Sequence, residues 1–130
     1  MKETITKFDQ SPPCGGPYSL GVKTGGKLLF VAGQGPWDPK TKKMSRGSVA
    51  EQTRLALDNI KRIVEAGGGR MEDAVSCRVY LQVLNESTFA EMNGVYAKYW
   101  GADKPVRTTV GAQLLNIDVE IDCVVSLPSA

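Results

Sequence analysis

Two stretches near the carboxyl end alternate between apolar and polar positions. In the first, Val106, Thr108, Val110, Ala112 and Leu114 share one face, and Arg107, Thr109, Gly111 and Gln113 share the other. In the second, Val119, Ile121, Cys123, Val125 and Leu127 oppose Asp118, Glu120, Asp122, Val124 and Ser126. A period of two is the mark of half-buried strands, so both are predicted as β. Pro105 can open the first of them without needing a ladder hydrogen bond. Upstream, Val75, Cys77, Val79, Leu81 and Val83 alternate with Arg78, Tyr80 and Gln82, which predicts a strand over residues 74–84.

Between these signals the period becomes helical. Val49, Thr53, Ala56, Leu57, Ile60, Ile63 and Val64 form one stripe. Ser48 with Glu51 reads as a capping box at its start, and Gly67-Gly68-Gly69 ends it. Asn85 caps a second predicted helix running from Glu86 to about Trp100, with Phe89, Asn93, Tyr96 and Trp100 on one face. Near the amino end, Tyr18–Lys23 and Lys27–Ala32 are strand-like runs split by Thr24-Gly25-Gly26, which predicts an antiparallel hairpin. Residues 1–17 carry little periodicity, with Ile5 and Phe8 the candidates for a short edge strand. Residues 33–46, rich in glycine, proline and lysine, are expected to be a long loop, and its basic run a solvated tip.

The order hairpin, helix, strand, helix, two strands predicts an α+β fold: one mixed sheet with both helices on one face. The strands flanking the second helix should run parallel, joined by a right-handed crossover. Nothing in the chain covers the other sheet face, which predicts self-association.

At 130 residues, 1–130 reads as one domain able to bury roughly two-thirds of its unfolded surface. No apolar run approaches a membrane span and no signal peptide stands at the amino end. Three cysteines without paired spacing fit a reducing, cytoplasmic setting better than a disulfide framework. There is no histidine, which removes Ser-His-Asp and Cys-His catalysis and makes a metal site improbable. Proton chemistry then falls to carboxylates, tyrosine, lysine or water. A net charge of +2 gives no call for nucleic acid.

The motifs narrow this further. Pro105-Val106-Arg107 followed by Val119-Glu120-Ile121 resembles the carboxyl-terminal signature of the YjgF (Rid) family of enamine/imine deaminases. Gly16-Pro17-Tyr18-Ser19, the run Leu28 to Pro36, Asp38-Pro39-Lys40-Thr41, Gln52 to Ile60, and Asn93 with Tyr96 resemble further family segments in the same order. The chain departs from common members at Leu20 (often Gln), Ala32 (often Ser), Thr109 (often Cys) and Leu115-Asn116 (often Leu-Pro). The resemblance implies a chorismate-mutase-like homotrimer with sheets facing inward and sites between subunits. It also implies hydrolysis of 2-aminoacrylate or 2-iminobutanoate type intermediates to 2-keto acids and ammonia, without a cofactor.

Within that frame Arg107 is the candidate carboxylate clamp, because a guanidinium offers the planar two-point grip that lysine lacks. From spacing alone it would read as a surface arginine at a strand edge. Glu120 is the candidate for holding the attacking water, the bland alternative being a solvated acidic stripe with Asp118 and Asp122. Asn93, an amide in an apolar helical stripe, is either a satisfied core polar group or a substrate or Arg107 contact. Tyr18 is either a packed aromatic or a pocket wall, and backbone N–H groups near Gly33 and Thr109 are candidate carboxylate donors. Were the last two strands a simple hairpin, Arg107 and Glu120 would stand roughly 20 Å apart. The expectation is therefore a site joining Arg107 of one subunit to Glu120 of another. The alternatives are a different strand order, and, for function, a ribonuclease tracking RNA along Lys40, Lys42, Lys43 and Arg46, or a non-catalytic metabolite-binding or client-holding module.

Overall fold

In chain order the elements are β1 (Lys2–Ile5), β2 (Gly21–Thr24), β3 (Leu28–Gln34), β4 (Trp37–Asp38), β5 (Lys43–Met44), α1 (Val49–Ala66), β6 (Ala74–Leu81), α2 (Glu86–Tyr96), β7 (Val106–Gly111) and β8 (Val119–Ser126). They come from a computed structural model that describes residues 2–128. The main sheet is mixed and four-stranded, in the order β3-β8-β6-β7. β8 is antiparallel to both β3 and β6, and β6 is parallel to β7. The β6–α2–β7 passage is thus the parallel unit expected of a strand, helix, strand order.

Both helices lie against one side of this sheet. Val119, Ile121, Cys123 and Val125 of β8 are buried there with Cys77, Val79 and Leu81 of β6. Ala56, Leu57, Ile60 and Val64 of α1, and Met92 and Tyr96 of α2, complete the core with Trp100. Ser48 caps α1, its hydroxyl accepting from the Glu51 amide at 3.1 Å. The Glu51 carboxylate turns to Arg54 at 2.8 Å rather than closing the box. The reciprocal box forms at α2 instead, where Asn85 Oδ1 accepts from Thr88 N and Thr88 Oγ1 accepts from Asn85 N.

Four expectations are corrected. The runs around Gly25-Gly26 are not a hairpin: β2 pairs with β1, and β3 pairs with β8. The glycines do turn the chain, with Gly26 at φ +81°. The partner is chosen by burial, since Leu29 and Val31 match Val125 and Cys123 on the core side of β8. A single parallel bridge from Ser19 to Val106 sets the start of β2 beside β7. Residues 33–46 are not all loop, because β4 and β5 pair over two residues each. Asp38 holds that turn, its Oδ1 accepting from Lys40 N at 2.8 Å. The second helix ends at Tyr96, four residues short of Trp100, and β6 ends at Leu81 rather than Leu84. Finally, Arg107 is not the surface arginine that spacing alone suggests: it and Thr109 face the helices, and Val110 is exposed. Arg107 is in register with the core residue Cys77, and paired residues share a face.

The other side of the sheet is uncovered. Phe30 there is 72% exposed and sits opposite Val124, and Arg78 forms an ion pair with Asp122 at 2.9 Å. Among the described residues no helix is long and apolar enough to cross a membrane.

Candidate functional site

Arg107 enters the space between β7 and α2, and only 8% of it is exposed. Its guanidinium carbon lies 4.8 Å from the ring centre of Tyr96 and 5.4 Å from those of Tyr18 and Phe89. Phe89 and Tyr96 sit one helical repeat apart, on the face that also presents Asn93. Arg107 Nη1 donates to Asn93 Oδ1 at 2.6 Å and lies 3.7 Å from Met92 Sδ. Its Nε is buried without a partner, as is Thr109 Oγ1 two residues along the same strand face. Among the described residues no carboxylate pairs with Arg107, and burial lowers its pKa from the ordinary value. The site therefore holds a desolvated cation whose attraction comes from aromatic faces and one neutral amide.

A turn from Cys14 to Tyr18 closes the outer side. Gly15 N donates to Tyr18 Oη at 3.1 Å, and Tyr18 N donates to Gly16 O at 2.9 Å. A Cβ on Gly16 would stand 3.0 Å from Arg107 Nη2, so any larger residue there would crowd the guanidinium. Ser19, buried, ties the turn to β7: its amide donates to Pro105 O at 3.0 Å and its hydroxyl to Lys104 O.

Glu120 stands elsewhere. Ile121 beside it points into the core, so the Glu120 side chain belongs to the uncovered face, opposite the Arg107 face. β6 lies between β7 and β8, and Arg107, Cys77 and Cys123 are in register across the three strands. The two residues are thus offset by about 10 Å along the strands and about 10 Å across them. The strand order differs from a simple hairpin, but facing alone keeps Arg107 and Glu120 of one chain apart. Glu120 packs on Gly33, where a Cβ would come within 2.5 Å of Glu120 Oε2. It borders a recess of about 600 Å³ with Gly35, Met44, Arg46, Leu115 and Ile117. The walls are braced from α1. Asn59 Nδ2 donates to the carbonyls of Gly35 (3.1 Å) and Trp37 (3.0 Å). Gln52 donates to Asp118 Oδ2 at 2.9 Å and accepts from Asp118 N at 2.8 Å.

Of the residues singled out in the sequence, Arg107, Asn93, Tyr18 and Thr109 gather in one chamber, and Glu120 and Gly33 in the other. Phe89, Tyr96 and Ser19 were not foreseen as parts of the chamber. The signal for the first two was their shared helical face with Asn93, which reads equally as ordinary core.

The chain is thus a two-layer α+β protein with a buried arginine on one side of its sheet and a glutamate recess on the other. The family described as Endoribonuclease L-PSP matches residues 8–127, and the chain belongs to that family, the Rid (YjgF) group. It is 45% identical to a RutC family protein of Pyrococcus horikoshii, over 94% of each chain. It is 33% identical to the chloroplastic Reactive Intermediate Deaminase A of Arabidopsis thaliana, covering 98% of this chain and 67% of that one. The crystal structure of RidA from the Antarctic bacterium Psychrobacter superposes with a TM-score of 0.71 at 31% identity, covering 96% of this chain and all of the other.

Proposed function

We propose that this chain is a cofactor-independent deaminase that hydrolyses 2-imino and enamine acids, of the 2-aminoacrylate or 2-iminobutanoate type, to 2-keto acids and ammonia. The observation that carries this reading is the buried Arg107 guanidinium, which has no carboxylate partner among the described residues. An unpaired buried cation is disfavoured by several kcal/mol, so a small anion entering the chamber supplies what the fold withholds. The substrate carboxylate takes the two-point grip, with the orphaned Thr109 hydroxyl beside it as a further donor. The aromatic walls of Tyr18, Phe89 and Tyr96 exclude water and strengthen the grip.

In this proposal the reaction is completed by Glu120 from a neighbouring copy. A water held by that carboxylate adds to the C=N carbon, and its proton passes through Glu120 to the imine nitrogen. Glu120 then moves the carbinolamine hydroxyl proton to the same nitrogen, the C–N bond breaks as the C=O bond forms, and ammonia leaves the 2-keto acid. The opposed facing of Arg107 and Glu120 and the exposed apolar patch around Phe30 and Val124 favour a homotrimer with sheets turned inward. The name of the Arabidopsis relative supports the same chemistry.

The test is ammonia release from imines generated in place by an amino-acid oxidase, across several side chains. The protein should accelerate hydrolysis over buffer, and Arg107→Ala should return it to the buffer rate with an unchanged circular dichroism spectrum. Undiminished turnover in that variant overturns the proposal.

A further inference from the structure

The proposed reaction leaves two buried thiols unused. Cys77 of β6 and Cys123 of β8 stand directly opposite each other in an antiparallel ladder, with their Sγ atoms 3.5 Å apart. They are 1% and 2% exposed, on the core side of the two central strands. Opposed residues in such a ladder have Cα atoms about 4.5–5.5 Å apart. That lies inside the span of about 4.4–6.8 Å that a disulfide bridges.

We propose that Cys77 and Cys123 are an oxidative modification site, which a small hydroperoxide converts into a cross-strand disulfide. One thiolate attacks the hydroperoxide, its O–O bond breaks, and a sulfenic acid forms with release of water or an alcohol. The second thiolate then attacks the sulfenic sulfur, the S–O bond breaks, water leaves and the S–S bond closes. Two thiols lose two electrons and the hydroperoxide gains them. Cys77 and burial both push the Cys123 thiol well above its usual range, so conversion is slow near neutrality and quickens as the pH rises. The cross-link joins positions 46 residues apart and restricts the unfolded chain accordingly. Cys77 is also the in-register neighbour of Arg107, so the staple stiffens the strand beside the anion chamber.

The experiment uses the full chain carrying Cys14→Ser, which removes the exposed competing thiol. The folded protein is exposed to hydrogen peroxide near neutrality and at about pH 9, in temperature steps up to its melting midpoint. It is then quenched, unfolded with iodoacetamide and mapped by mass spectrometry without reduction. The expected product carries no alkyl groups, weighs two hydrogens less, yields a linked 77–123 peptide, and melts roughly 10 °C higher until dithiothreitol is added. Adding Cys123→Ser should abolish both the linked peptide and the shift. Two alkylated thiols after the whole temperature series, or sulfinic acid at either position without the link, overturns the proposal. Because no step uses an imine, this outcome is independent of the deaminase assay.

Discussion

Arg107 and Glu120 lie on strands separated only by β6, yet their surroundings differ in almost every respect. Arg107 is buried, and its surroundings come from one chain: three rings, one amide and a turn tied down by Ser19. The glutamate recess is open, and Met44 of β5 with the loop residues Leu115 and Ile117 wall it. A group that must grip a charge gains from being desolvated and fixed before its ligand arrives. One that must exchange protons with water gains from access to solvent. The sheet keeps the two environments apart by putting them on opposite faces, and the proposed reaction brings them together through a second copy.

The sharpest way to break this comparison is to inactivate each half separately and mix the products. Arg107→Ala and Glu120→Gln alone should each lose on the order of 10²–10⁴ in turnover. Unfolded and refolded together, they should recover about a quarter of the wild-type rate, because random trimers regenerate intact sites between unlike neighbours. No recovery would show that the halves do not meet across copies. Next in size is Gly33→Ala. Its Cβ would displace the Glu120 carboxylate from 2.5 Å, so the ammonia-release rate should fall about a hundredfold while the melting midpoint barely moves. Asn93→Ala removes the only hydrogen-bonded oxygen partner given to Arg107 among the described residues. It should lower kcat/KM by about tenfold to a hundredfold, through KM, in steady-state assays.

The smallest effect separates the chamber from the surface by proton titration. Burial raises the pKa of Tyr96, and burial with the Asp58 carboxylate raises that of Tyr99. Above about pH 10 the unfolded chain loses these protons while the folded chain keeps them, so stability declines as pH rises. Ultraviolet titration of the native protein should leave both tyrosines silent until the alkaline unfolding transition. Early ionisation of Tyr96 would mean that the chamber admits water.

Periodic signals made most of the scaffold legible. The α1 stripe with its serine cap, the β6–α2–β7 unit and the core face of β8 follow from side-chain period and end signals that act locally. What escaped were matters of partnership. Gly25-Gly26 announces a reversal but says nothing of which strands the two arms join, and burial against β8 decided that for β3. On β7 alternation identified two faces without deciding which is inward: Val110 faces out while Arg107 and Thr109 turn in. Apolar patterning fails there because the inward positions carry a buried arginine and a threonine in place of apolar side chains. Asn93 could be noticed as an amide in an apolar stripe, whereas Phe89 and Tyr96 hide among residues that any core would use.

One consequence concerns the passage from β7 to β8. It has to bridge over the end of β6, and its ends are fastened: Ala112 N donates to Leu81 O, Leu114 N to Gln82 Oε1, and Gln82 N to Asp118 O. Between those fastenings Leu115 is 87% exposed and Asn116 adopts φ +60°. Chain added at that tip would change the contour presented to an incoming side chain and leave the interior undisturbed. Under the proposed function, a few residues of rim can thus be edited to admit other substrates while the fold stays as it is.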